Sequence, residues 1–318
     1  MATDYILFVH GVNTREKQEQ YTYADQLFRL IQQGVGSSIN LKKIALYWGD
    51  INQTAQDELV RSFKQSSVWN QLWFKDFRTN QLLQFAGDAA LYLSRTVGSQ
   101  VVQRLKEQAL QEIQGYNPQE DRLHLITHSW GTVILFDILF AERWTFDNVP
   151  GHQDVMAIRN FLFGLQPSPT SGIRLASINT MGSPIALFNL INVEGSSHNF
   201  KPILEELLKN LYNIRGRQLP WTNFIHPGDP VAWPLETILF DSIEEQKKYL
   251  DLLDFLNKNE GLTDIIFQQL SQQTLALIHG GKAHGSYWQS KQVADKITQV
   301  IKAEVAKSKN PVANRTAS

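Results

Sequence analysis

The hydrophobic positions of this chain fall into two kinds of run. Some are short and nearly unbroken: Tyr5-Ile6-Leu7-Phe8-Val9, Lys43-Ile44-Ala45-Leu46-Tyr47-Trp48 and Leu123-His124-Leu125-Ile126. Such runs, closed by turn residues, predict parallel strands covered on both faces. Ile173 to Asn179 alternates and predicts a further strand, and Trp221 to Ile225 a short one. Other apolar residues recur at helical spacing. Ala24, Leu27, Phe28 and Ile31 predict a helix over 21–33, ended by Gly34 and Gly36. Val102, Leu105, Ala109 and Ile113 predict one over 99–114, stopped by Gly115 and Pro118. Val133, Ile134, Phe136, Leu139 and Phe140 predict a helix buried on most of its surface. Ile203 to Tyr212 predicts an amphipathic helix, and the last helix runs from Tyr287 to about Ala306. Thr237 to Gln272 is charged with repeated Leu and Ile, and is expected to be helical and without chemistry. Together these predict an α/β fold: a mostly parallel sheet flanked by helices.

The spacing also predicts insertions. More than seventy residues separate the second strand from the third, far more than a crossover requires. Residues 51–97 are expected to form a helical cap carrying Phe63, Trp69, Trp73, Phe77 and Phe85. Aromatics at helical spacing are usually core; here Trp69 and Trp73, with His10 and His128, are also candidates to line an apolar substrate pocket. A second excursion at 147–171 is expected to hold a short helix that could touch the pocket mouth. Residues 1–308 read as one domain and 309–318 as a flexible polar tail.

Composition narrows the function classes. A net charge of −1 argues against a nucleic-acid or anionic-membrane partner. With no cysteine, disulfides, thiol catalysis and cysteine-bound metal are excluded, and a reducing, cytoplasmic setting is expected. No leader pattern precedes Tyr5 and no apolar run reaches membrane-span length, so a soluble monomer or homodimer is expected.

The candidate chemistry sits where the strands end. Leu123 to Leu139 reads as strand, sharp turn and helix, with Ser129 at the tip of Thr127-His128-Ser129-Trp130-Gly131. That is the setting of a G-x-S-x-G nucleophile elbow. Thr127 stands where the pattern has its first glycine, while Gly131 keeps Cβ atoms away where strand and helix pass closely. The first strand ends in His10-Gly11-Val12, where a backbone amide can face a developing oxyanion; an ordinary turn is the alternative. One hundred residues after the serine, Asp229 follows a strand within Gly228-Asp229-Pro230. It can orient a histidine, or be a turn residue and nothing more. Of eight histidines, His284 has the best chain position for a base: a glycine-flanked loop before the last helix, with His279 its main rival. A zinc site on His279 and His284 lacks a third ligand at useful spacing. Ser183, followed by Pro184, reads as a helix-start residue, and His152 as a solvated loop histidine.

Taken together, His10-Gly11, the elbow, Thr180-Met181-Gly182-Ser183-Pro184, Gly228-Asp229-Pro230-Val231 and Ala283-His284-Gly285-Ser286-Tyr287-Trp288 resemble the α/β-hydrolase fold, specifically its lipase- and esterase-like serine hydrolases. The resemblance spans about residues 4–306 and implies cleavage of a carboxylic ester, of small-molecule or lipid type, through an acyl-enzyme. Ser129 would attack, His284 would serve as base and then acid, and Asp229 would orient it. The amides of Trp130 and of Val12 or Gly11 would hold the oxyanion, with no metal or organic cofactor. The same triad serves thioesterases, peptidases and acyltransferases, and the fold also hosts non-catalytic binding proteins.

Overall fold

The computed structural model describes residues 2–11, 21–51, 53–72, 75, 79, 95–188, 200–236, 247–257 and 283–309. In chain order these form β1 (Thr3–Val9), α1 (Asp25–Val35), β2 (Asn40–Leu46), α2 (Gln53–Gln65), α3 (Arg95–Glu112), β3 (Arg122–His128), α4 (Trp130–Phe140), α5 (His152–Arg159), β4 (Arg174–Met181), α6 (Lys201–Arg215), β5 (Leu219–Ile225), β6 (Leu250–Leu256) and α7 (Lys291–Lys309). The six strands make one sheet in the order β2-β1-β3-β4-β5-β6, and every pairing is parallel.

Parallel pairing explains the unbroken apolar runs, because each strand is buried on both faces. Ile6, Phe8, Ile126 and Phe224 point to one face, against Leu27 and Ile31 of α1 and Ile297 and Ile301 of α7. Leu7, Val9, Leu125 and Leu175 point to the other, against α3, α4 and α6 through Leu105, Ile134 and Leu208. The chain steps from β1 outward to β2, then back across β1 to β3. The carboxyl ends of β1 and β3 are therefore a topological switch point, where the crevice of an open α/β sheet lies.

Several sequence expectations are corrected. Within 237–272, read as helical, residues Leu250–Leu256 form the edge strand β6. Its leucines favour helix in isolation, and pairing with β5 along its whole length overrides that preference. Asp254, in the middle of this strand, accepts the amides of Leu235 and Glu236 and the Asn223 side chain, bracing the loop that follows β5. The second excursion does contain a helix, α5, but at the other end of the sheet from Ser129. It follows the far end of α4, packs on α3, and returns through a bridge between Leu162 and Ile173 just before β4 starts. Its His152 ring bonds the Trp144 carbonyl at 2.7 Å, and buried Arg159 donates to the last carbonyls of α4, Ile138 and Ala141. In the cap region the described chain is helical over α2 and a short turn at Trp69–Gln71. The last helix begins four residues later than expected, at Lys291, because Ser286–Gln289 form a separate tight turn.

At the amino end of the sheet an Asp–His–Ser chain is fully buried. Arg122 Nε and Nη2 each donate to Asp4 at 2.7 Å, His124 Nε2 lies 3.1 Å from Asp4, and His124 Nδ1 lies 2.8 Å from Ser177 Oγ. Asp4, His124 and Ser177 have no exposed surface, so this chain is structural. Burial pushes the Asp4 carboxyl up, but the hydrogen bonds and charges of Arg122 and His124 outweigh it and hold it below its ordinary value. Asp4→Ala should therefore cost about 3 kcal/mol in a urea melt at neutral pH, by leaving Arg122 half-buried and unmatched. Because the folded carboxyl titrates low, its contribution is complete above about pH 4 and is lost as pH falls through the folded value. The gap between wild type and variant should close in acid.

Candidate active site

Ser129 follows the last residue of β3 and precedes the first of α4. Its backbone sits at φ +54° and ψ −132°, and it is the one non-glycine with positive φ among the described residues. Holding a serine there costs on the order of 1–3 kcal/mol, so the surroundings must enforce it. They do so from three sides. The Ser129 amide donates to the Met181 carbonyl at 2.9 Å, continuing the β3–β4 ladder. The Ser129 carbonyl accepts the Thr132 amide, opening α4. Gly11 lies directly against the serine: a Cβ there would stand 2.4 Å from Ser129 Cβ and 3.0 Å from its Oγ.

Gly131 answers the second close approach. A Cβ at this position would lie 2.2 Å from the His10 carbonyl oxygen and 2.9 Å from that of Val9. The departure at Thr127 also has an account. Its Oγ1 is buried 2.8 Å from Thr132 Oγ1, so the hydroxyl that replaces a glycine is paired with the first turn of α4.

β5 delivers the acid. Its strand ends at Ile225, and Asp229 is set in a turn in which its Oδ1 accepts the Val231 amide at 2.9 Å. The turn reading and the charged-partner reading of Gly228-Asp229-Pro230 thus describe one geometry. His284 Nδ1 lies 3.0 and 2.9 Å from the two carboxylate oxygens, and the Tyr287 hydroxyl donates to Oδ2 at 2.8 Å. Burial pushes the Asp229 carboxyl up; the hydrogen bond and charge of His284, then the Val231 amide and Tyr287, bring it below its ordinary value. A carboxylate only accepts, so Nδ1 carries the imidazole proton and Nε2 presents its lone pair. Among the described residues, His284 Nε2 and Ser129 Oγ are both buried without a hydrogen-bond partner, so the bond between them is not formed in this structure. Serine–histidine pairs often tighten only when substrate is in place.

The other candidates divide. Trp130 supplies the first amide of α4, at the positive end of its dipole and next to Ser129. His10 is fully buried, stacked on Trp48 with 5.4 Å between ring centres. Its Nε2 accepts the Trp48 amide, which leaves Nδ1 to donate to the Gly11 carbonyl at 2.5 Å. It braces the Gly11 loop from behind. His128 is also buried, against the His284 segment. Trp69 stacks on Phe63 beside α2. Val12, Trp73 and His279 lie outside the described residues. Ser183 behaves as a helix-start residue, its Oγ accepting the Ile185 amide. An apolar cavity of about 50 Å³, lined by Leu7, Leu105, Leu125, Leu135 and Phe161 among others, lies between the sheet, α3 and α4. Neither Ser129 nor His284 lines it.

Two contributors escaped the sequence reading. Tyr287 was assigned only to the start of the last helix, yet its hydroxyl accepts the His226 amide and donates to Asp229. The available signal was its place one helical turn after His284. Gly182 stands in the sequence only as part of Thr180-Met181-Gly182-Ser183-Pro184. Its φ of +55° brings the backbone so close to the acid and base that a Cβ would lie 2.7 Å from Asp229 Oδ2 and 3.1 Å from His284 Nδ1.

The six-stranded parallel sheet with helices on both faces is consistent with the α/β-hydrolase fold. No family model matches the chain, and no curated protein matches it. Among solved structures, the dienelactone hydrolase of Anabaena variabilis is similar over 95% of this chain and 87% of its own, at 11% identity and a TM-score of 0.35. No helix among the described residues is long and apolar enough to cross a membrane.

Proposed function

We propose that the protein is a serine hydrolase that cleaves a carboxylic ester, with an apolar or lipid-like acyl group, through an acyl-enzyme. The observation that carries this reading is the state of two atoms. Among the described residues, Ser129 Oγ and His284 Nε2 are buried polar atoms without hydrogen-bond partners, one on a strained turn and the other on a ring whose far nitrogen is held by Asp229. Acyl transfer would use both, the hydroxyl oxygen as nucleophile and the imidazole lone pair as its proton acceptor. Ser129 Oγ attacks the carbonyl carbon while His284 Nε2 takes its proton. Asp229 stabilises the imidazolium that results. The Trp130 amide and an amide of Gly11 or Val12 receive the oxyanion. His284 then returns the proton to the leaving alcohol, and water repeats the sequence to release the acid.

Intact-mass labelling with a fluorophosphonate tests this. A single adduct mapped to Ser129, absent in Ser129→Ala, is expected. A folded protein that stays unlabelled, with and without detergent to open any lid, would sink the reading in favour of a binding protein. A panel of acyl esters, thioesters and amides then separates esterase from thioesterase or peptidase.

A further inference from the structure

The residue immediately before the serine reaches the base. His128 closes β3, and its Nε2 lies 2.6 Å from the backbone carbonyl oxygen of His284. A carbonyl only accepts, so Nε2 is the protonated nitrogen of His128. The two imidazole rings are 4.5 Å apart at 39°, and Trp288 and Tyr287 close around His128 at 5.4 and 5.9 Å. We propose that His128 is a positioning residue, which sets the separation of base and nucleophile by tying the His284 backbone to the strand that presents Ser129.

Among the described residues, the other hydrogen bonds of the base segment run to the turn after β5, two strands away from the serine, and none runs to β3 itself. Asp229 holds the His284 ring by its Nδ1 and is steadied by the Tyr287 hydroxyl, and acid and tyrosine are anchored to the turn after β5 through the amides of Val231 and His226. These bonds fix where the ring points. The His128 bond joins the base segment to β3, so ring and serine move as one body. The choice of side chain follows. A lysine could span the gap, but its charge would oppose the imidazolium formed on His284. Burial, then the neighbouring charge of His284, pushes His128 down to about 3, so this donor is neutral when the proton arrives next to it.

The inference rests on Ser129 and His284 being nucleophile and base. His128→Phe keeps a ring without the donor, and His128→Gln restores an N–H donor at similar reach. The fluorophosphonate rate at Ser129 and kcat should fall about 100-fold in the first, with KM changed by no more than about twofold. His128→Gln should recover to within about tenfold of wild type. If His128→Phe does not fold, His128→Asn takes its place, since its amide stops short of the carbonyl. Labelling of the donorless variant at the wild-type rate would overturn the proposal. So would equal slowing of both variants in step with lost thermal stability, the mark of packing alone. A wild-type protein that is never labelled would instead overturn the hydrolase reading. The positioning role then stands on the downfield NMR resonance of the His284 Nδ1 proton, which should shift or broaden without the donor; an unmoved resonance sinks it.

Discussion

Ser129→Ala should lower ester turnover by roughly a millionfold, and His284→Ala by a similar factor, because the two atoms act as a unit and neither works alone. Asp229→Asn should cost less, about ten-thousandfold. An amide can present its N–H side to His284 and favour the wrong tautomer, with the proton on Nε2 and no lone pair towards Ser129. The double variant Ser129→Ala with His284→Ala should be no slower than either single one. Steady-state kinetics on one chromogenic ester would show all four outcomes. Costs that multiply would mean that serine and histidine work independently, and the geometry around Asp229 would need another explanation. The turn formed by Asp229 and Val231 should survive the Asn change, since its side-chain oxygen still accepts that amide. The Tyr287 hydroxyl loses its acceptor, so a modest fall in Tm is expected beside a kinetic loss far larger than it could explain.

The second large effect concerns folding. Gly131→Ala would place a methyl group 2.2 Å from the His10 carbonyl oxygen and 2.8 Å from its carbon. These are backbone atoms of the strand end beside the serine, and they cannot rotate away as a side chain would. Either α4 lifts from the sheet or β1 shifts, and α4 is buried along its full length. A cost of about 3 kcal/mol or more is expected. That is a substantial part of a typical stability of about 5–15 kcal/mol. Differential scanning calorimetry should show a clearly lowered Tm, and what remains folded should label poorly. An unchanged Tm would mean that strand and helix are further apart than described.

Much of this was legible in the chain because the signals were local. Apolar runs gave the strands from β1 to β5, and helical spacing gave α1, α3 and α6 to within a few residues. Ser129, Asp229 and His284 stand out as candidates because each lies at the end of a strand or before a helix, and the structure brings Asp229 and His284 together. β6 was not, since Leu250-Asp251-Leu252-Leu253-Asp254 reads as helix until β5 supplies the neighbour it pairs with. Three partnerships were invisible for the same reason. The hydroxyl of Tyr287 meets Asp229 across 58 residues, the ring of His128 meets His284 across 156, and Asp4 meets Arg122 across 118. Nothing in the spacing of such residues encodes the contact; the sheet order does. Thr127 shows the converse. It departs from the glycine pattern, and its fit becomes clear only when Thr132 is seen opposite it.

The site draws on four segments that are far apart in the chain: Gly11, Ser129, Asp229 and His284. During synthesis the serine emerges long before the group that would activate it. At a typical rate of roughly 5–20 residues per second, this interval lasts on the order of ten seconds or more. The strained turn can form early, since it needs β1, β3 and β4. On the proposed hydrolase reading, activation of the serine cannot, because His284 arrives with the segment that leads into α7. On that reading a ribosome-bound intermediate would be chemically silent, with reactivity beginning only when the sheet and its last helix are in place.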